Sequence, residues 1–182
     1  MEVRELALSG VLEIIPRMFH DNRGYFFETY NKADFNKIGI QTNFLQDNQS
    51  FSRKGVVRGL HMQLKPNEQI KLVRVITGKV LDVVVDCRIG SKTFGEHLVH
   101  ELTEEKNNML YIPEGFAHGF SAIEDSLFQY KCSSTYDKNS EIGINPFDKE
   151  LKIDWNIEIP IVSEKDMELE DFRSYKILKG II

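Results

Sequence analysis

Cysteine is scarce in this chain: 182 residues hold two, Cys87 and Cys132. Both sit in apolar, strand-like runs, so buried free thiols are expected rather than a disulfide, and a reducing cytoplasm fits. Long apolar runs are missing too. None approaches the ~18 residues that a membrane span needs. Met1 is followed by Glu2 and Glu5, with neither a basic n-region nor an apolar h-region, so no signal peptide is read. Positive charge is not in surplus. Lys and Arg number 23 against 28 Asp and Glu, a net charge of -5, which removes any bulk electrostatic case for nucleic acid or an anionic membrane. A local basic pocket for a phosphorylated small molecule stays open. There is no internal repeat and no low-complexity linker, so residues 1–182 read as one domain with a full core.

What is present is a series of short β signals. Val11 to Pro16 reads as a first strand. Phe19 to Gly24 is a turn punctuated by Asp21-Asn22 and Gly24. Tyr25 to Tyr30 is aromatic and β-branched, hence strand-like, with Phe26 and Glu28 on one face. Lys32 to Ile38 predicts a short helix ended by Gly39. Asn43 to Ser50 predicts a strand whose Gln46 and Asn48 share an unusually polar face, either an exposed edge or a pocket lining. Lys71–Ile76 and Lys79–Arg88, joined by Thr77-Gly78, read as a hairpin in which Lys71 and Val73 face the same way. Further strands are expected over Glu96–Leu102, Met109–Ile112 and Leu127–Cys132, the last with Tyr130 and Cys132 on one face and Lys131 on the other. Ile153 to Val162 is extended and irregular. Ser163 looks like an N-cap with acidic residues in the turn it opens. Many short strands with glycine turns and little helix predict an all-β sandwich or barrel, most naturally a double-sheet jelly roll with its pocket in the mouth.

The hexapeptide Arg58-Gly59-Leu60-His61-Met62-Gln63 concentrates chemistry. His61 and Gln63 share a strand face, whereas Arg58, three residues before His61, would face away in a regular strand. Gly59 offers the bulge that would unite them. A histidine beside a cation on an inner face is poised for proton transfer near neutral pH. Taken alone, a hydrogen-bonded core histidine is the commoner case.

Two pieces resemble the motifs of cupin jelly rolls. Pro113-x-Gly115-x-x-His118 matches the second motif, while the first, which in a metal-binding cupin carries His-x-His, here reads His61-Met62-Gln63. The missing imidazole argues against a tight transition-metal site. A more specific resemblance covers nearly the whole chain. Phe19-x-Asp21-x-Arg23-Gly24, Phe27-Glu28, Gln46-Asp47-Asn48-x-Ser50, Arg58-Gly59-Leu60-His61-x-Gln63, Lys71-Leu72-Val73-Arg74, Asp82-Val83-x-Val85-Asp86-x-Arg88, Pro113 to Phe120, Tyr130-Lys131 and Ser163-x-Lys165-Asp166 follow in order and at the spacing of the dTDP-4-dehydrorhamnose 3,5-epimerase family.

That resemblance implies a cupin-like jelly roll with a few short peripheral helices and a cofactor-free inversion at C3 and C5 of a dTDP-linked 4-keto-6-deoxy sugar. Both carbons are α to a ketone, so a general base can remove their protons. The resemblance casts His61 as that base, Asp166 as the carboxylate behind it, and Lys71 as the cation that meets the enolate oxygen. Tyr130 is the first candidate for the acid on the opposite face, with Tyr136 second. His118 is taken as a substrate or Lys71-side contact. Arg23 and Arg58 match diphosphate contacts, for which guanidinium forks are suited. Phe26, Glu28, Gln46, Asp47, Asn48 and Gln63 match positions around nucleotide and sugar, and Glu141 and Lys165 further contacts. The resemblance also implies a homodimer with nucleotide contacts across the interface. Met62, Ile70 and Asn145 to Asp148 depart from the family pattern and bear on pocket shape. The rivals are a metal-dependent cupin enzyme, which metal analysis would reveal, and a non-catalytic sugar-binding module, which would bind without exchanging protons.

Overall fold

The computed structural model describes residues 1–182. In chain order the strands are β1 (Glu2–Glu5), β2 (Leu12–Ile15), β3 (Phe19–Asp21), β4 (Gly24–Phe26), β5 (Gln46–Ser52), β6 (Val57–Gln63), β7 (Lys71–Thr77), β8 (Lys79–Asp86), β9 (His97–Thr103), β10 (Met109–Ile112), β11 (Phe116–Ala122), β12 (Ser126–Cys132) and β13 (Glu141–Gly143). Three short helices join them, α1 (Lys32–Lys37), α2 (Glu164–Met167) and α3 (Phe172–Leu178). One sheet runs β1-β2-β10-β7-β12-β5, a second β13-β6-β11-β8-β9, and β3 and β4 form a small hairpin of their own. This is the all-β, cupin-like double-sheet jelly roll with a few short peripheral helices.

The core lies between the two sheets. Val73 and Val75 of β7, Leu110 of β10 and Phe128 of β12 meet Val80 and Val84 of β8 and Phe120 of β11. β8 is apolar on both faces, because Val83 and Val85 turn outward into a second cluster with Trp155, Phe172 and Tyr175. The segment after β13 thus serves as a cover for the outer face of the five-stranded sheet. α1 plays the same part on the other sheet, where Phe35 packs with Ile14, Leu72 and Met109.

Several sequence expectations need correction. β7 and β8 are not a hairpin: β7 pairs with β10 and β12, β8 with β9 and β11, so Thr77-Gly78 is a corner between layers. A period-2 pattern fixes which face a residue takes but not which sheet its strand joins, and two adjacent apolar strands satisfy either. Gly78 has φ +84°, and a side chain there would collide with the Asp125 carbonyl. A strand, β1, precedes the one read from Val11, and the strand read from Asn43 begins at Gln46. Of Tyr25–Tyr30 only the first residues are strand; the chain then turns inward, with Phe27 lying under the Arg74 guanidinium and Tyr30 packing on Phe35 and Phe44. Ser163 does cap α2, its side chain accepting from the Asp166 N–H.

A polar clip ties the end of β8 to the loop before β9. Asp86, wholly buried, accepts from Arg88 Nε at 2.9 Å, Arg88 Nη2 at 2.7 Å, Ser91 Oγ at 2.6 Å and Thr93 Oγ1 at 2.6 Å. Burial alone would raise its pKa, but these donors hold it down from 3.8 to about 2. A depressed carboxylate pKa contributes stability above the ordinary value and loses it as pH falls through the folded one. Asp86→Asn should therefore lower the unfolding free energy by about 2 kcal/mol at neutral pH. Urea titrations of both proteins should show that gap closing between about pH 4 and about pH 2. A gap that stays constant over that range would mean the carboxylate's charge is not what holds the clip.

Candidate active site

The site is built where β6 and β11 lie side by side. His61 pairs with His118, but the next registered pair is Arg58 with Phe120, so β6 spends one residue more than β11 over the same stretch. Two glycines make this bulge feasible. Gly59 has φ +114°, and a Cβ on it would fall 2.6 Å from Gly119 Cα; a Cβ on Gly119 would fall 2.5 Å from the Arg58 carbonyl oxygen. The extra residue reverses side-chain parity, and Arg58 and His61 both line one cavity of about 380 Å³. Lys71 of β7, Tyr130 of β12, His118 of β11, Asn48 of β5, and Lys165 and Asp166 of α2 complete its walls. Both sheets and the α2 helix contribute, so the residues meet only in the closed sandwich.

Two imidazole–carboxylate pairs face this space. His61 Nε2 lies 2.8 Å from Asp166 Oδ1, and the Gly59 N–H donates to Asp166 Oδ2 at 3.2 Å. Burial raises the Asp166 pKa, yet the bonds from His61 and Gly59 prevail and hold it below the ordinary carboxylate value. His118 Nε2 lies 2.8 Å from Asp82 Oδ2. Lys71 is buried and donates to the His61 carbonyl at 3.3 Å. Its burial lowers its pKa, an effect that Cys132, Asp82 and Glu141 partly offset. Tyr130 is cross-strand from Val73 and Asn48, and burial raises its phenol pKa. No three His, Cys, Asp or Glu side chains are arranged to hold a metal ion.

A narrower recess of about 80 Å³ adjoins the cavity, sharing Asn48, His61, Lys71 and Tyr130 and adding Gln46, Gln63, Tyr136 and Glu141. Gln46 donates to Asn48 Oδ1 at 2.9 Å and accepts from the Tyr136 N–H at 2.8 Å. Gln63 is spent on architecture: it donates to the Asn67 carbonyl at 2.6 Å and accepts from the Asp137 N–H at 2.8 Å. Glu141 accepts from Lys165 Nζ at 2.7 Å and from the Tyr136 hydroxyl at 3.0 Å, which holds Tyr136 at the recess rim.

Four of the expected site residues are not brought to the cavity within the chain. Asp47 points outward into an ion pair with Lys131. Arg23, on the turn of the β3–β4 hairpin, is exposed and pairs with Asp21. Phe26 is 66% exposed on the same hairpin. Glu28 accepts from Asn31 and lines a separate surface cleft with Arg17 and Lys37. Conversely, sequence reasoning gave no role to Asp82. Its signal was a lone carboxylate at an inward position of the apolar run Val80-Leu81-Asp82-Val83-Val84-Val85. Ser52, which accepts from Arg58 Nε at 2.9 Å, was also missed.

Comparison with known proteins identifies the family. The family model for dTDP-4-dehydrorhamnose 3,5-epimerase matches residues 5–174. The chain belongs to the dTDP-4-dehydrorhamnose 3,5-epimerase family. The enzyme of that name from Shigella flexneri is 44% identical over 174 residues, covering 94% of this chain and 96% of its own. The crystal structure of the epimerase from Elizabethkingia anophelis superposes with a TM-score of 0.90 at 42% identity, covering 96% and 97% of the two chains. The family's 3,5-epimerase from Legionella pneumophila, solved in complex with dTDP-4-keto-L-rhamnose, gives 0.90 at 38% identity, covering 94% of this chain and 93% of that one. A cavity lined by ammonium, guanidinium, imidazole and phenol groups has the chemistry to hold an anionic ligand and to move protons.

Proposed function

We propose that this cavity inverts C3, C5 or both of a dTDP-linked 4-keto-6-deoxyhexose, by proton abstraction α to the C4 ketone. The chain is a carbohydrate epimerase of dTDP-deoxysugar biosynthesis. The observation that carries the mechanism is that His61 and Tyr130 line one cavity from opposite sheets, with buried Lys71, on the Tyr130 sheet, reaching across to the His61 carbonyl. His61 removes the proton, Asp166 orients its ring and compensates the imidazolium, and Tyr130 returns a proton to the other face. Lys71 meets the charge that develops on the C4 oxygen. Arg58 and Lys165 suit the diphosphate, and Tyr136, Gln46, Asn48 and Glu141 the nucleotide side of the recess. His118 is a substrate contact.

The reaction so drawn needs no metal and no cofactor, since protons α to a ketone can be moved by side-chain acids and bases alone. The remaining contacts belong to a homodimer. Arg23 and Phe26 stand on a projecting hairpin with Phe19 and Tyr25 also exposed, and in a dimer they, with Glu28, would complete the partner's cavity rather than their own. One domain, 1–182, in the cytoplasm is the setting this reading takes; no helix is long and apolar enough to cross a membrane.

Incubation with dTDP-4-keto-6-deoxy-glucose in heavy water, followed by NMR, tests the reading. Deuterium should enter at C3, C5 or both with inversion, in protein stripped of metal by chelation. No exchange, or exchange restored only by a divalent metal, would overturn it.

Lys71→Ala tests the oxyanion contact. Because enolate charge exists only beyond the ground state, kcat should fall on the order of 100-fold with dTDP affinity nearly unchanged. Burial lowers the Lys71 pKa, so the ammonium is lost, and wild-type turnover with it, as pH rises through a value below the ordinary lysine range. An equal loss in dTDP binding would place Lys71 on the diphosphate instead.

A further inference from the structure

Arg58 is the one arginine that lines the cavity, and no carboxylate of the chain pairs with it. Arg4, Arg23 and Arg88 each form an ion pair. Arg58 is held by neutral acceptors instead: Nε donates to Ser52 Oγ at 2.9 Å and Nη2 to the Phe51 carbonyl at 3.2 Å. Both acceptors stand at the end of β5, in the six-stranded sheet, whereas Arg58 belongs to β6 in the five-stranded one. The bond from Arg58 to Ser52 therefore spans the corner where the chain passes between the layers. Ser52 faces inward from β5 with Gln46, Asn48 and Ser50, and at 1% exposure its hydroxyl is fixed by packing. The Nε and Nη2 hydrogens share one edge of the planar guanidinium, and β5 occupies that edge. The adjacent edge, formed by Nη1 and the second Nη2 hydrogen, is the one left for a ligand.

We infer that Ser52 is a positioning residue for diphosphate binding: its hydroxyl anchors Arg58 by Nε, so that the free edge of the guanidinium stands ready in the cavity with its charge uncompensated. The inference rests on the proposed role of Arg58 as a diphosphate contact. Arg88 shows the alternative within the same chain. Its Nε and Nη2 donate from the same edge, at 2.9 and 2.7 Å, but to the carboxylate of Asp86. There the positive charge is spent on the polar clip, and the arginine is structural. A hydroxyl fixes the fork without neutralising it, which leaves the full attraction for an anion. The two glycines of the bulge turn Arg58 toward the cavity, and Ser52 then sets the rotation of its side chain. An arginine ordered before the ligand arrives does not lose its rotamer freedom on binding. Ser52 itself touches no substrate. Its effect falls on ground state and transition state alike, because the diphosphate does not change during proton transfer at the sugar.

The test is dTDP affinity by calorimetry, with kcat and KM alongside, in Ser52→Ala, Ser52→Thr, Arg58→Lys and the double variant Ser52→Ala/Arg58→Lys. Ser52→Ala should weaken dTDP binding about 10-fold and raise KM by the same factor, with kcat within about twofold of wild type. Ser52→Thr keeps the oxygen and should restore most of the affinity. A lysine has no Nε edge for Ser52 to hold, so Ser52→Ala should cost nothing further beside Arg58→Lys. A serine that only staples the β5–β6 corner would lower the melting temperature and leave the dTDP Kd alone. Wild-type affinity in Ser52→Ala therefore overturns the inference, as does a loss that persists undiminished in the Arg58→Lys background. Loss in Arg58→Lys with none in Ser52→Ala overturns the inference and leaves the role of Arg58 intact; wild-type affinity in Arg58→Lys overturns both. Calorimetry requires no turnover, so none of these outcomes depends on the assigned reaction. Should Ser52→Ala fail to fold, nitrogen NMR of the wild type decides. The Arg58 Nε signal, identified by its loss in Arg58→Lys, should be resolved in free protein and move little when dTDP is added. A signal that emerges only with dTDP would show an arginine ordered by its ligand, and the inference would fall.

Discussion

His61→Asn should abolish deuterium uptake at C3 and C5 together, a loss of about 10⁴-fold for removal of a general base. The reason is the number of bases on that wall. His61 is held by Asp166 from α2 and has a side chain 30% exposed to the cavity, so its ring can exchange protons with substrate and then with water. The other imidazole in the cavity is tied to a carboxylate that has no alternative donor. One base on one face can serve both carbons if the sugar shifts between two proton removals, because C3 and C5 flank the same ketone. Asparagine keeps a polar group near Asp166 and removes only the titratable ring. The measurement is an NMR time course of deuterium content at each carbon. Exchange at C5 near the wild-type rate, with C3 silent, would show that a second group removes the C5 proton and that His61 serves C3 alone.

The way these residues come together shows what a sequence can and cannot display. Strand faces were legible: alternation on β12 puts Tyr130 and Cys132 together, and Lys131 does turn outward to Asp47. The polar face of Gln46 and Asn48 was legible for the same reason, and it lines the recess although β5 is the edge strand of its sheet. Sheet membership was not, because β7 and β8 are each apolar enough to sit in either layer. Arg58 and His61 required a bulge that one glycine only permits; Gly119, sixty residues on, is what lets the opposing strand close over it. The pairing of His61 with Asp166 spans a separation of 105 residues, which no periodicity encodes, and it came from resemblance alone. Asp82 was invisible as a functional group because a charge inside a valine run reads as a break in a pattern. Its bond to His118 is made only in the folded chain. Arg23, Phe26 and Glu28 mark the opposite limit. Their residue types are suited to a nucleotide, but Arg23 and Phe26 are exposed on the β3–β4 hairpin and Glu28 lines a separate surface cleft, so none of them reaches the cavity of the chain.

Tyr130→Phe should separate exchange from inversion. His61 belongs to β6 in the five-stranded sheet and Tyr130 to β12 in the six-stranded sheet, so the two reach the substrate from opposite walls of the sandwich. A planar enolate held between them presents one face to each. Removing the phenol oxygen leaves the ring in contact with Phe128, which preserves the packing, and leaves the His61–Asp166 pair untouched. Enolate formation should therefore continue. The proton, now solvent deuterium carried by His61, can only return to the face it left, so deuterium accumulates with retained configuration. Net inversion should fall by about 10³-fold, within the range for loss of a positioned general acid. The phenol is suited to that duty because burial raises its pKa and keeps it protonated until the enolate forms. Deuterium content and ring coupling constants at C3 and C5, followed in one time course, report exchange and inversion separately. Inversion at the wild-type rate would make Tyr130 a packing residue and pass the acid role to Tyr136 or to water. Loss of exchange along with inversion would mean that the hydroxyl is needed before the proton is removed, for instance to orient the ketone, and the division of labour between the two walls would be wrong.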